Sequence, residues 1–168
     1  MARTSQIVSF CNQRVQLSEN TDFPSAYNGL QIQNDGNVLK VGAAVDAGLA
    51  TFQFASKKEI DFLIVHHGIF WSPPLPLTGV NYEKIKHCLD SNLSVYSSHL
   101  PLDRHLEIGN NAILAQKIGL EPVRIATFSG LSVPNSIEII PTGKISFNLE
   151  RRDVRMSELE VSKPISFP

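Results

Sequence analysis

The chain has 168 residues, of which 42% are hydrophobic, enough for one domain of ordinary size with a buried core and too apolar for a disordered chain. Its 15 basic and 16 acidic residues leave a net charge of -1, so neither bulk charge nor a basic run draws it to nucleic acid. The N-terminus lacks a hydrophobic signal core and no apolar run approaches the roughly 18 residues of a membrane span, so the expectation is a soluble, cytoplasmic protein.

Ser5 is the expected cap of a first helix, in which Ile7, Val8, Cys11, Val15 and Leu17 fall near helical spacing. Residues 18–24 are polar and punctuated, which should stop that helix. The stretch Tyr27-Asn28-Gly29-Leu30-Gln31-Ile32 is a turn signal running into a short strand. Residues 38–46 read as a second strand. Residues 49–58 read as a helix that turns Leu49, Phe52 and Ala55 inward, and 61–67 as the next strand. A helical crossover between two strands argues for parallel pairing. After a proline-rich loop at 72–76, a helix at 82–89 and a strand at 93–98 repeat the unit. A helix at 108–118, with Gly119 as its C-cap, precedes strands at 123–128 and 136–140. A charged helix at 149–160 carries Val154 and Leu159 on one face, and residues 163–168 look like the start of a further strand. The fold class is α/β, a mostly parallel sheet flanked by helices. Cys11 and Cys88 lie far apart without metal-type spacing and read as buried free thiols of a reducing compartment.

The chemistry sits where strands stop. The apolar run at 62–65 ends in His66-His67-Gly68, and the run at 93–98 ends in His99-Leu100-Pro101-Leu102-Asp103. In open α/β sheets ligands gather at the carboxyl ends of strands. Three imidazoles and a carboxylate make a metal-ligand set. Adjacent residues of a regular strand face opposite ways, so His66 and His67 can serve one site only where the backbone turns. Gly68 is expected to allow an unusual backbone angle there. The two rings would then diverge toward a pair of ions about 3.5–4 Å apart, a spacing that one carboxylate such as Asp103 can bridge.

Other residues stay ambiguous at this level. Asp46 ends its strand at the same rank, either to contact a metal-bound water or to cap the next helix. Asn110 and Asn111 either orient a ligand or cap a helix. Trp71 either stacks on a ring or lies under the proline loop. His87 and His105 read as structural, with His87 solvated near Lys84 and Lys86. The sequence has no Gly-rich phosphate loop of a standard type.

The string Ile64-Val65-His66-His67-Gly68-Ile69-Phe70-Trp71 resembles a signature of the Nif-three-like dinuclear metal-binding family, many of whose members are called GTP cyclohydrolase I type 2 homologues. Tyr27-Asn28-Gly29-Leu30-Gln31-Ile32 is similar to that family's early Asn-Gly-Leu-Gln motif. Ser97-Ser98-His99-Leu100-Pro101-Leu102-Asp103, continuing to Gly109-Asn110-Asn111-Ala112, is similar to its second metal segment. The likeness is best over residues 25–119. It implies a Nif-three-like fold over 1–168 as a single domain, incomplete at the C-terminus, with residues 141–168 opening a second half. It implies two divalent ions held by His66, His67 and Asp103, with His99 beside them as an outer-sphere or proton-carrying catalytic group. Zn, Mn, Fe, Co and Ni all suit such ligands. The resemblance also implies a homohexamer and a metal-dependent hydrolase whose substrate is the nucleotide GTP. Members also supply a His and Glu pair from a C-terminal half, and this chain has no such pair. The alternative is a non-catalytic metal-binding or regulatory protein-interaction module, since the family's other name comes from contact with a transcriptional regulator.

Overall fold

The structure is a computed structural model that describes residues 1–70, 75–117, 122–128 and 136–141. The chain divides into two compact units, Met1–Pro101 and Leu102–Pro168.

The first unit holds a four-stranded sheet in the order β2 (Gly29–Ile32), β6 (Ser94–Ser97), β5 (Phe62–His67) and β4 (Val41–Asp46). Strands β4, β5 and β6 run parallel, and β2 closes one edge antiparallel to β6. Each parallel step is made by a crossover helix: α2 (Leu49–Lys57) after β4, and α3 (Gly79–Asp90) after β5. The α/β class and the mostly parallel sheet expected from the sequence are both present. A small antiparallel pair, β1 (Ala2–Arg3) with β3 (Asn37–Val38), sits outside the main sheet, and helix α1 (Thr4–Arg14) follows β1 directly.

Strand alternation sorts the core onto two faces. Leu63, Val65 and Val95 pack with Phe52 and Ala55 of α2 and Cys88 of α3. Phe62 and Tyr96, stacked with ring centroids 6.2 Å apart, pack with Val38 on the other face, and Ile7, Val8 and Cys11 of α1 cover them. Leu49, expected inside, is only half-buried. The edge strand β4 keeps Val41 and Val45 exposed.

Several expectations need correction. Ser5 does not cap α1. Arg3 is the N-cap, and the Gln6 side-chain oxygen accepts its N–H at 2.9 Å. Residues 38–46 are two strands rather than one. The chain turns at Leu39 and Lys40, whose N–H groups both donate to Asp61 Oδ2, at 2.7 and 2.9 Å. That carboxylate gives the turn acceptors that a sheet would otherwise supply. Cys11 is half-buried rather than buried. His87 is half-buried rather than simply solvated, and its Nε2 lies 3.0 Å from Ser56 Oγ, tying α3 to α2.

Helix α4 (Leu100–Asp103) crosses from the first unit to the second. In the second unit, His105 Nδ1 accepts the N–H groups of Glu107 and Ile108, which caps the turn that leads into α5 (Asn110–Lys117). Strands β7 (Pro122–Phe128) and β8 (Ser136–Pro141) pair antiparallel, where the sequence predicts strands. Trp71, Gly119, the charged helix at 149–160 and the segment 163–168 lie outside the described residues. Among the described residues, no helix is long and apolar enough to cross a membrane.

The turn after β5 is held by one side chain. Gln31 Oε1 accepts the Ile69 N–H at 2.6 Å, and Gln31 Nε2 donates to the Tyr27 carbonyl at 2.7 Å. Gly68 makes room for it: a Cβ there would collide with the Gln31 amide group. This corrects the expected role of Gly68, which does not adopt a positive φ and serves the turn by leaving space.

Two outcomes follow from this packing. Gly68→Ala should expel the Gln31 amide and cost about 1–3 kcal/mol in urea unfolding, the range for stranding a hydrogen-bonded pair. In a Gln31→Ala background the same change should cost far less, and additive losses would show that the collision is not the cause. Burial, partly offset by nearby Lys84, pushes the Cys88 thiol up to about 12. Since only thiolate attacks alkylating reagents, Cys88 should be modified no faster than the fold opens, by mass spectrometry, and rapid native labelling would contradict its burial.

Candidate metal centre

His66 and His67 end β5, and His99 follows β6 by two residues. Parallel register aligns these strands, with Asp46 opposite His67 and Ser97 opposite Val65. The three rings converge at the carboxyl end of the sheet. Ring centroids are 4.6 Å apart for His66 and His67, 4.9 Å for His66 and His99, and 5.6 Å for His67 and His99. One ring nitrogen from each lies within 4.8 Å of the other two. The pleat alone would send His66 and His67 to opposite faces, yet their rings meet while both residues still belong to the strand.

Each ring is anchored through Nδ1. His66 Nδ1 lies 3.0 Å from the Ser98 carbonyl oxygen. His67 Nδ1 lies 2.7 Å from Asp46 Oδ1. His99 Nδ1 lies 3.0 and 3.1 Å from the two oxygens of Asp22. A carbonyl and a carboxylate can only accept, so Nδ1 carries the proton in all three rings and Nε2 is the acceptor nitrogen of each neutral imidazole. Metal-binding histidines are oriented in this way by carboxylates and backbone carbonyls. The donor set therefore fits a divalent transition metal. Ser98 is 2% exposed, and its hydroxyl has no hydrogen-bond partner among the described residues.

The three anchors differ in burial. Asp46 is 72% exposed and shares its pair with a His67 that is 44% exposed. Asp22 is 5% exposed and His99 12%. Burial alone would raise the Asp22 pKa, but hydrogen bonds from His99, Asn28 and the N–H groups of Phe23 and Leu100 outweigh it and bring the carboxyl down to about 2. Asp22 is thus an anion at neutral pH, held inside the fold by donors.

Asp46 does not cap α2, whose N-cap is Gly48. It serves His67 instead. Asp103, the remaining expected ligand, ends α4 in the second unit and accepts the Asn110 amide at 2.8 Å. Asn110 therefore binds the Asp103 carboxylate and stands at the start of α5. Asp22 is the residue that sequence reasoning passed over. It lies in a stretch read only as a helix stop, and the available signal was a carboxylate shortly before Asn28.

A family model described as Duf34/NIF3 (NGG1p interacting factor 3) matches residues 2–163. A GTP cyclohydrolase 1 type 2 homolog from Archaeoglobus fulgidus is 40% identical over 118 residues, which is 70% of this chain and 47% of that protein. One from Deinococcus radiodurans is 44% identical over 93 residues, 55% of this chain and 35% of that protein. The chain thus spans half or less of the length of these relatives. Among solved structures, TTHA1606 from Thermus thermophilus superposes with a TM-score of 0.69 and 37% identity, over 82% of this chain and 54% of that one. Reduced HcgD from Methanocaldococcus jannaschii gives 0.64 and 28%, over 74% and 49%. With its sheet, its strand-end histidines and a match along nearly its whole length, the chain belongs to the Duf34/NIF3 family.

Proposed function

We propose that the protein binds divalent metal at His66, His67 and His99 and serves as a metal-dependent hydrolase. The observation that carries this reading is the common anchoring of three converging imidazoles through Nδ1, which leaves Nε2 as the ligating atom of each. A bound divalent ion supplies Lewis-acid activation of water and of the bond under attack. The chain's own residues supply orientation. Asp46 and Asp22 hold two rings at fixed angles. Asp103 enters the proposal as a carboxylate ligand, and two ions with a homohexameric assembly belong to the same reading. The names of the relatives make GTP the first substrate to test.

A second reading is a regulatory protein-interaction module. The family description favours it, and so does the exposure of Val41 and Val45 on β4 and of Phe54 on α2.

Metal per chain should be measured on the purified protein beside His66→Ala, His67→Ala and Asp103→Ala. About two divalent ions are expected for a dinuclear site, with loss in each variant. GTP hydrolysis should stop on chelation and return with added metal. A parent that holds no metal tightly would sink the hydrolase. Bound metal that persists in Asp103→Ala would remove that carboxylate from the ligand set. Partner binding and assembly that survive chelation, with no turnover, would favour the interaction module.

A further inference from the structure

Asp22 is built into its place more thoroughly than a surface carboxylate needs to be. Its Oδ1 accepts the Phe23 N–H at 2.7 Å. Its Oδ2 accepts the Asn28 amide at 2.7 Å and the Leu100 N–H at 3.0 Å. His99 Nδ1 faces both oxygens. Asn28 closes the ring, since its Oδ1 accepts the His99 backbone N–H at 2.7 Å. Phe23 also lies against His99, with ring centroids 6.0 Å apart. Three of the groups around the carboxylate, the Phe23 and Leu100 N–H groups and the Asn28 amide, can only donate to it, and beside the ionised Asp22 the His99 Nδ1 donates as well.

We propose that Asp22, braced by Asn28, is the positioning residue that locks His99 in the Nδ1–H tautomer and turns its Nε2 toward His66 and His67. The proposal deepens the metal reading above. Asp22 ties two chain segments together at the site: the loop before β2 and the turn after β6. The buried carboxylate also sets His99 apart from its neighbours. His66 leans on a neutral carbonyl, and the Asp46 that backs His67 is open to solvent. The carboxylate paired with His99 is withdrawn from water, where the interaction is less screened than in an exposed pair.

Asp22→Asn separates orientation from bulk. The amide keeps the shape but must place an NH2 group where an oxygen accepted. At the Oδ2 position that NH2 opposes two donors, Asn28 and Leu100. At the Oδ1 position it opposes one backbone N–H and faces His99 Nδ1, which can respond by giving up its proton to Nε2. The second arrangement strands fewer donors, so His99 should switch tautomer.

The test is nitrogen-15 NMR of the histidine side chains in the metal-free full chain, followed by Co2+ titration. The parent should show His99 protonated at Nδ1. Asp22→Asn should move it largely to Nε2–H and weaken Co2+ binding roughly tenfold to a hundredfold, the usual effect of losing an outer partner of a ligand. Asp46→Asn should leave the His99 tautomer unchanged. A parent His99 protonated at Nε2 would overturn the proposal whether or not any variant folds. So would a folded Asp22→Asn that keeps the parental tautomer. A parent that takes no Co2+ would defeat the metal reading alone, because the tautomer is read without metal.

Discussion

Parallel register is the constraint on which the site depends. Two crossover helices deliver β4, β5 and β6 in the same direction, so their carboxyl ends finish at one edge of the sheet. Asp46 stands opposite His67 because Val41 stands opposite Phe62 five residues earlier. A shift by one residue would exchange the faces of Phe62, Leu63, Ile64 and Val65 and empty both halves of the core. The packing that fixes the register therefore also fixes the histidines. Phe52, Leu63, Val95 and Cys88 on one face, and Phe62 and Tyr96 on the other, act on the site without touching it.

The three imidazoles are chemically unequal although their geometry is similar. Differences in their anchors set how firmly each ring is held. A carbonyl dipole holds His66, a hydrated carboxylate holds His67, and a buried carboxylate holds His99. Solvent weakens the Asp46 pair most, since exposed ion pairs contribute little.

Much of this was legible in the sequence because it is local. Apolar runs at 62–65 and 93–98 announced buried strands, and the histidines beside them announced a site. The order of strands and helices announced parallel pairing. What stayed hidden depends on contacts between distant residues. Asp22 looks like one more polar residue in a helix-stopping stretch, and its partner His99 lies 77 positions away. Gly68 suggested backbone freedom, whereas the Gln31 amide needs the room a Cβ would take. Asp46 stands in the sequence at the same strand-end rank as His67, as a cap or a partner of a metal-bound water, but its direct bond to His67 Nδ1 depends on the register between β4 and β5. His87 sits near lysines on a helix, and only tertiary packing brings Ser56 to it.

The anchoring bonds also bear on how the chain folds. They join residues 21, 32 and 77 positions apart, for His67 with Asp46, His66 with Ser98 and His99 with Asp22. None can persist in an unfolded chain without closing a loop of that length. Ordered imidazoles are therefore a product of the finished first unit, not a seed for it. An ion that prefers the ordered cluster would bind the native state over the denatured one and raise the melting temperature with its own concentration. Resistance to heat then becomes a record of the ions in the surrounding medium.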